Sequence, residues 1–136
     1  SWGGHTAWET CRALAEADVS IELAVFLDPS SLGRATAKRP QFIPTSIKSA
    51  RNYYTRNVFG WRELPEEGRI INIDLGNEAH GFQIPGGPRY NASFDIHAHI
   101  AAEWDPRIHD EITQHVVGLL KSSPIAVAGG NTTVTK

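Results

Sequence analysis

The sequence has no methionine, a single cysteine and no apolar run long enough to span a membrane. A lone Cys11 excludes an internal disulfide, and it leaves the cellular compartment open between cytoplasm and secretion. The formal net charge of −2 provides no basic footprint for nucleic acid or for an anionic membrane. We therefore expect neither a nucleic-acid partner nor an integral membrane segment.

What is present is typical of one globular domain. The chain has 136 residues, of which 40% are hydrophobic and 21% are charged. No internal repeat and no second domain is visible. We expect residues 1–122 to be part of a single domain and residues 123–136 to form a flexible Gly/Thr-rich tail.

Hydrophobic periodicity predicts helices near both ends of this domain. Residues 4–17 have helical spacing on one face, with Cys11 as a small buried hydrophobe and Asp18 as the end of the helix. A second helix over residues 106–120 is expected to have Asp105 as its N-cap and Pro106 in its first turn. The apolar stripe predicted for this second helix comprises Ile108, Ile112, Val116, Leu119 and Leu120.

Between these helices, residues 19–27 and 69–75 read as strands buried on both faces. Residues 44–54 have the spacing of a short helix, and the Gly/Pro-rich residues 76–98 read as a long loop of the kind that carries function. The order is that of an α/β fold with a parallel sheet. Because two strands do not make a stable sheet, we expect further strands upstream of Ser1 or on another chain.

The first residues resemble half of a catalytic motif. In the G-x-S-x-G elbow, a serine stands on a sharp turn between a strand and a helix, and the next N–H helps to stabilise an oxyanion. Here Ser1, Trp2 and Gly3 match the second half of the motif, and Trp2 would supply that N–H. Because the preceding G-x and any methionine are missing, we expect the C-terminal part of a longer chain or a processed product of one.

A serine nucleophile needs a base, and the base needs an orienting acid. The acid is expected just after a buried strand, because sites in open α/β sheets gather at the carboxyl ends of the strands. Asp28 directly follows Leu27 and precedes Pro29, so it is our first candidate. Asp74, inside the second predicted strand, is the alternate.

The base is expected in the segment before the last helix. His97 and His99 flank Ala98 and would point the same way if the chain were extended, so either is a candidate base. His80 comes early in the loop, and His109 lies on the exposed side of the last helix. The H-x-H pair also raises the question of a metal, but no further ligands stand at an obvious spacing, so we expect none.

Taken in order, these segments resemble the α/β-hydrolase superfamily, and within it the lipase/esterase-like serine hydrolases. The segment LAVFLDP is similar to the acid turn of pancreatic-type lipases and of a group of small bacterial lipase-like hydrolases, and IKSARNYY is similar to an N-Y-Y/F segment of that bacterial group. The closing pattern resembles the family's catalytic histidine followed by D-P-x-V/I-H. The matching segments are SWGGHTA from Ser1, LAVFLDP from Leu23, IKSARNYY from Ile47, and DPRIH from Asp105 after His99.

The resemblance implies a carboxylic-ester hydrolase that works through an acyl-enzyme, without a cofactor or metal. Ser1 would be the nucleophile, Asp28 the acid and His99 the base, with Trp2 giving one oxyanion N–H. The chain would be the C-terminal half of the fold, inactive without the N-terminal half, and its substrate would be a small-molecule or lipid ester. Thioester, amide and lactone substrates stay open, as does the oligomeric state.

Two other readings are compatible with the sequence. The same fold can also serve as a catalytically silent binding or scaffold domain, and the tryptophans are then core or interface residues. A starting serine also fits an N-terminal-nucleophile hydrolase, although such enzymes usually begin with a strand of an antiparallel sandwich. Several aromatic residues are candidates either for an acyl pocket or for the core, namely Tyr53, Tyr54, Phe59, Trp61 and Phe82.

Overall fold

The computed structural model describes residues 2–30, 39–56, 60–65, 68–76 and 96–122. Among these residues, three strands form one parallel sheet in the order β1-β2-β3. Helices flank the sheet, which makes the arrangement α/β. In chain order the elements are α1 (Trp2–Glu16), β1 (Ala24–Leu27), β2 (Ala50–Tyr54), β3 (Ile70–Asp74), α2 (Ile96–Trp104) and α3 (Pro106–Ser122).

Alternation along the strands builds one apolar cluster on each face of the sheet. In β1, Ala24 and Phe26 contact the α1 side, whereas Val25 and Leu27 contact the α2–α3 side. The first cluster consists of Trp8, Cys11, Ala24, Phe26, Ile43, Ile47, Ala50, Trp61, Leu64 and Ile70. The second consists of Tyr53, Ile73, Leu75, Ala102 and Ile108.

Helix α1 confirms the prediction for the start of the chain, including its end at Asp18. The Val19 N–H donates to the carbonyl of Leu14 (2.9 Å), and the Asp18 N–H donates to that of Ala15 (3.1 Å). These bonds form a Schellman cap, with Asp18 in the left-handed region at φ 56°. Cys11 is 8% exposed on the buried face, as expected.

Helix α3 confirms the second helix prediction and its cap. The Arg107 N–H donates to Oδ1 of Asp105 (2.9 Å), which makes Asp105 the N-cap. The predicted apolar stripe is buried only at its start, because Ile108 is fully buried whereas Val116 and Leu120 are 42% and 64% exposed. The second half of α3 therefore extends beyond the part of the sheet that is described.

The helix predicted over residues 44–54 is wrong. Ala50–Tyr54 is the central strand, paired with β1 on one side and β3 on the other. Ile47, Ala50 and Tyr54 have helical spacing and are all buried, but Ile47 lies in a bridge to Ile21 before the strand begins. Burial on both faces of a central strand removed the alternation that would have distinguished it from a helix.

Two further boundaries differ from the prediction. The predicted strands 19–27 and 69–75 contain shorter ones, Ala24–Leu27 and Ile70–Asp74. Helix α2 is not among the predicted elements, and it begins at Ile96, inside the predicted loop 76–98. Residues 77–95 and the tail 123–136 lie outside the described residues. Within the described chain, no helix combines the length and apolar character needed to cross a membrane.

Candidate active site

Asp28 stands at the carboxyl end of β1, one residue after Leu27, and is fully buried. Its φ of 38° lies in the left-handed region, which aspartate tolerates better than most residues but at a cost in backbone energy. The Asp28 N–H donates to the carbonyl of Tyr53 (2.7 Å), so the pairing with β2 continues through this turn. The fold thus holds a carboxylate rigidly at the carboxyl ends of the strands, where α/β proteins place their sites.

His99 lies on α2 and meets this carboxylate. Its Nδ1 is 2.6 Å from Oδ2 of Asp28, and its side chain is 12% exposed. A carboxylate only accepts hydrogen bonds, so Nδ1 carries the proton and donates it. In the neutral imidazole, Nε2 then keeps the lone pair with which a general base accepts a proton.

The other ring nitrogen of His99 lies near the carboxylate of Glu103. Nε2 is 3.7 Å from Oε1 of Glu103, one turn further along α2. His97 is also within α2, so this segment is helical and does not have the extended conformation in which His97 and His99 would point the same way. Residues two apart in a helix do not share a face, and the side chain that reaches Asp28 is that of His99.

Thr55 is a polar neighbour of Asp28 that the sequence analysis did not single out. The Thr55 N–H donates to Oδ1 of Asp28 (2.8 Å), and its hydroxyl lies 2.8 Å from Oδ2 and 3.0 Å from Oδ1. Thr55 is 1% exposed and directly follows β2. If residues 50–54 had been predicted as a strand, Thr55 would follow its carboxyl end as Asp28 follows that of β1. That placement would have marked Thr55 as a neighbour of Asp28.

Asp74, the alternate acid, has a different partner. It closes β3 and is 1% exposed, and its Oδ2 accepts from Nε of Arg56 (2.7 Å) and pairs with Nη2 of Arg56 (2.6 Å). The hydrogen bond to this carboxylate raises the pKa of Arg56 above its ordinary value. The Gly76 N–H donates to Oδ1 of Asp74 (3.0 Å), which fixes the second oxygen.

Helix α1 begins at Trp2 and approaches the Asp28 turn with its first residues. A Cβ built at Gly4 would lie 2.8 Å from both Cα and Cβ of Pro29 and 3.3 Å from the carbonyl oxygen of Leu27. Only glycine permits this close approach. Ser1 lies outside the described residues, as does the side chain of Trp2, whose backbone opens the helix.

The aromatic residues that the structure describes belong to the core. Tyr53, Tyr54 and Trp61 are 0%, 4% and 4% exposed, while Phe59, Phe82 and also His80 lie outside the described residues. Burial and a hydrogen bond from its hydroxyl to Glu63 (2.9 Å) raise the pKa of Tyr54 far above its usual range. The backbone N–H of Trp61 donates to the carbonyl of Pro29 (2.9 Å), which ties the segment after β2 to the Asp28 turn.

Trp8, Trp104 and His109 are also among the described residues. Trp8 is in the core, Trp104 is 76% exposed, and the ring of His109 contacts the carbonyl of Glu103 (2.8 Å). A cavity of about 760 Å³ lies between the end of α1 and the segment before β2, at the opposite ends of the strands from Asp28. Among the residues described, no three His, Cys, Asp or Glu side chains are grouped closely enough to hold a metal ion.

Comparison of the chain with protein-family models, with curated proteins and with solved structures gave no match. Function is therefore inferred from the site itself. Its central features are a buried carboxylate, an imidazole in hydrogen-bond contact with it, and a helix whose first turn contacts the same loop.

Proposed function

We propose that this chain carries the catalytic triad of an α/β-hydrolase that cleaves carboxylic esters, with Ser1, His99 and Asp28 as its members. The observation that carries the proposal is the 2.6 Å contact between Nδ1 of His99 and the buried carboxylate of Asp28. A base oriented by an acid in this way is what a serine nucleophile requires. The parallel sheet also agrees with this fold class and differs from the antiparallel sandwich of an N-terminal-nucleophile hydrolase.

The proposed reaction proceeds in two halves. In the first, Nε2 of His99 takes the proton from Oγ of Ser1 while Oγ attacks the ester carbonyl. The tetrahedral intermediate collapses, the alcohol leaves with the proton from Nε2, and the acyl group stays on Ser1. In the second, His99 takes a proton from water, the resulting hydroxide attacks the acyl-enzyme, and the carboxylic acid departs as Oγ regains its proton.

In the proposed mechanism, Asp28 and Trp2 stabilise charge and form no covalent bond. Asp28 holds the imidazole in the tautomer with the proton on Nδ1 and stabilises the imidazolium that forms. The Trp2 N–H, at the first turn of α1, is the proposed donor to the oxyanion. Helix N-termini favour negative charge, so the start of α1 suits a developing oxyanion.

We further propose that an upstream part of the fold completes the sheet and supplies the second oxyanion N–H. Supporting this, the second half of α3 exposes Val116, Val117 and Leu120, with 42%, 39% and 64% of their surface accessible. Apolar residues on one helix of an α/β fold usually face a sheet. Additional strands beside the described sheet would cover them.

The test is labelling of the full-length protein with a fluorophosphonate probe. Labelling should disappear in Ser1→Ala and persist in Ser20→Ala, which removes an exposed hydroxyl at the opposite ends of the strands. Asp28→Asn should lower the rate of ester hydrolysis by about 10⁴-fold, because the imidazole then loses its orienting charge. Persistence of labelling in Ser1→Ala would falsify the assignment of the nucleophile.

The requirement for further strands has its own test. A polypeptide of residues 1–136 alone should label far more slowly than the full-length protein, since loss of one oxyanion donor typically costs about 10²–10³-fold in kcat. Equal labelling of the two would show that residues 1–136 suffice. In that case the proposed second donor is wrong, and the triad assignment is judged by the serine variants alone.

A further inference from the structure

Thr55 holds both oxygens of the Asp28 carboxylate. Its backbone N–H donates to Oδ1 (2.8 Å), and its hydroxyl lies 2.8 Å from Oδ2, the same oxygen that contacts His99. A threonine hydroxyl has one proton to donate, and an ionised carboxylate only accepts. The orientation of the Asp28 carboxylate about its last torsion is therefore set by Thr55, which contacts both oxygens, and by His99, which contacts Oδ2.

The residue after Thr55 is anchored to the third strand. Arg56 pairs with Asp74 through Nε (2.7 Å) and Nη2 (2.6 Å), and Asp74 is buried at the end of β3. Contacts from Asp28 to Thr55 and from Arg56 to Asp74 thus link the carboxyl ends of all three described strands. The Arg56 side chain is 46% exposed, so its removal leaves no buried cavity.

We propose that Thr55 is the positioning residue for the Asp28–His99 pair, and that Asp74 acts through Arg56 to hold Thr55 in place. In this assignment Asp74 is an anchor and not an alternate catalytic acid. The catalytic consequence rests on the proposed hydrolase function. The effect on the geometry of the pair does not, and it can be measured without turnover.

The first experiment compares Thr55→Val with Thr55→Ser in the full-length protein, with p-nitrophenyl butyrate as substrate. Valine keeps the shape and the backbone N–H but loses the hydroxyl, whereas serine keeps the hydroxyl. We expect kcat to fall by about 10²-fold in Thr55→Val with little change in KM, because misplacement of a catalytic group costs about that much. Thr55→Ser should retain most of the parent kcat.

Urea denaturation separates this role from a loss of folding. The kcat of Thr55→Val is to be measured at a temperature where the variant is fully folded, as judged by its unfolding curve. An unchanged kcat in folded Thr55→Val overturns the positioning role. A loss of kcat in Thr55→Ser as large as that in Thr55→Val overturns it too, since the hydroxyl would then not be the group that matters.

The second experiment tests the anchor with Arg56→Gln and Asp74→Asn. Each should lower kcat by less than Thr55→Val does, and neither should lower it further once Thr55 is already valine. Glu22→Gln is the matched control, because it breaks the exposed ion pair between Glu22 and Lys48 (2.5 Å) before β1 and β2 and should leave kcat unchanged. Additive losses in the double variants, or no loss in either single variant, would overturn the anchoring role.

Histidine side-chain NMR distinguishes failure of this inference from failure of the proposed function. In ¹⁵N-histidine-labelled protein, the Nδ1–H of His99 should give a resonance that is lost in His99→Gln, weakened in Thr55→Val and retained in Thr55→Ser. If fluorophosphonate never labels Ser1 yet this pattern is observed, hydrolysis is wrong and positioning stands. If the resonance is the same in Thr55→Val and the parent, positioning is wrong whatever the activity.

Discussion

Oδ2 of Asp28 and Nδ1 of His99 lie 2.6 Å apart although 71 positions separate the two residues in the chain. Asp28 follows β1, and His99 is the fourth residue of α2 as described. A charge-assisted hydrogen bond of this length between a buried carboxylate and an imidazole is strong, because little water competes for either group. The hydrogen bond to Asp28 therefore positions the imidazole of His99 whether or not Nε2 takes part in a reaction.

Replacement of His99 should abolish activity, whereas replacement of His97 should not. His99→Gln removes the proposed base and is expected to reduce kcat by on the order of 10⁶-fold, as loss of a triad histidine does. His97→Gln makes the same substitution two residues earlier in the same helix, so it serves as the matched control. Ester hydrolysis and fluorophosphonate labelling measure both. If His97→Gln is the variant that loses activity, the base assignment must be reversed.

Substitution of Gly4 should separate α1 from the Asp28 turn. In Gly4→Ala the new Cβ would lie 2.8 Å from two carbons of Pro29, so the helix or the turn must shift. We expect the free energy of unfolding to fall by roughly 1–3 kcal/mol, as overpacking usually costs. Urea denaturation measures the change.

The neighbouring glycine provides the control for this prediction. A Cβ at Gly3 meets no atom within 4 Å, and alanine is the better helix former, so Gly3→Ala should be neutral or slightly stabilising. Equal stability of Gly4→Ala and Gly3→Ala would contradict the close approach of α1 to Pro29.

Removal of the cap at Asp105 should destabilise the fold in a pH-dependent way. Hydrogen bonds from the Arg107 side chain and backbone hold the pKa of Asp105 below its usual value. A lowered pKa means that the stabilisation is present at neutral pH and is lost as the pH falls through the folded-state pKa. Asp105→Ala should therefore cost about 1 kcal/mol at pH 7, and less in acid.

Thermal denaturation at several pH values measures this difference. Asp110→Asn, an exposed position further along α3, is the control and should change little at any pH. A stability loss in Asp105→Ala that stays constant down to strongly acidic pH would show that the carboxylate charge is not responsible.

The Cys11 thiol should react slowly in the folded protein. It is 8% exposed on the inner face of α1, and burial raises its pKa above the ordinary value. Because only the thiolate is nucleophilic, iodoacetamide should modify Cys11 much more slowly in buffer than in denaturant. Equal rates in the two conditions would mean that α1 does not cover the sheet as described.

The sequence was most informative where one face of an element meets water. α1 and α3 have apolar residues at helical spacing and cap residues at Asp18 and Asp105, and both helices form nearly where predicted. The central strand was misread because both of its faces are buried, so its residues carry no period-two alternation. Helix α2 is absent from the sequence prediction altogether, since it follows a Gly/Pro-rich segment that favours a loop.

For the site, chain order and local chemistry alone led to Asp28, because an aspartate before a proline at the end of an apolar run is a local signal. The resemblance implied His99 as the base, but the residues alone left His97 as an alternate and gave no reason to single out Thr55. Those choices depend on contacts across 27 and 71 positions, from Thr55 and His99 to the same carboxylate. Side-chain direction and strand register, which only the tertiary structure defines, decide which distant group reaches a given oxygen.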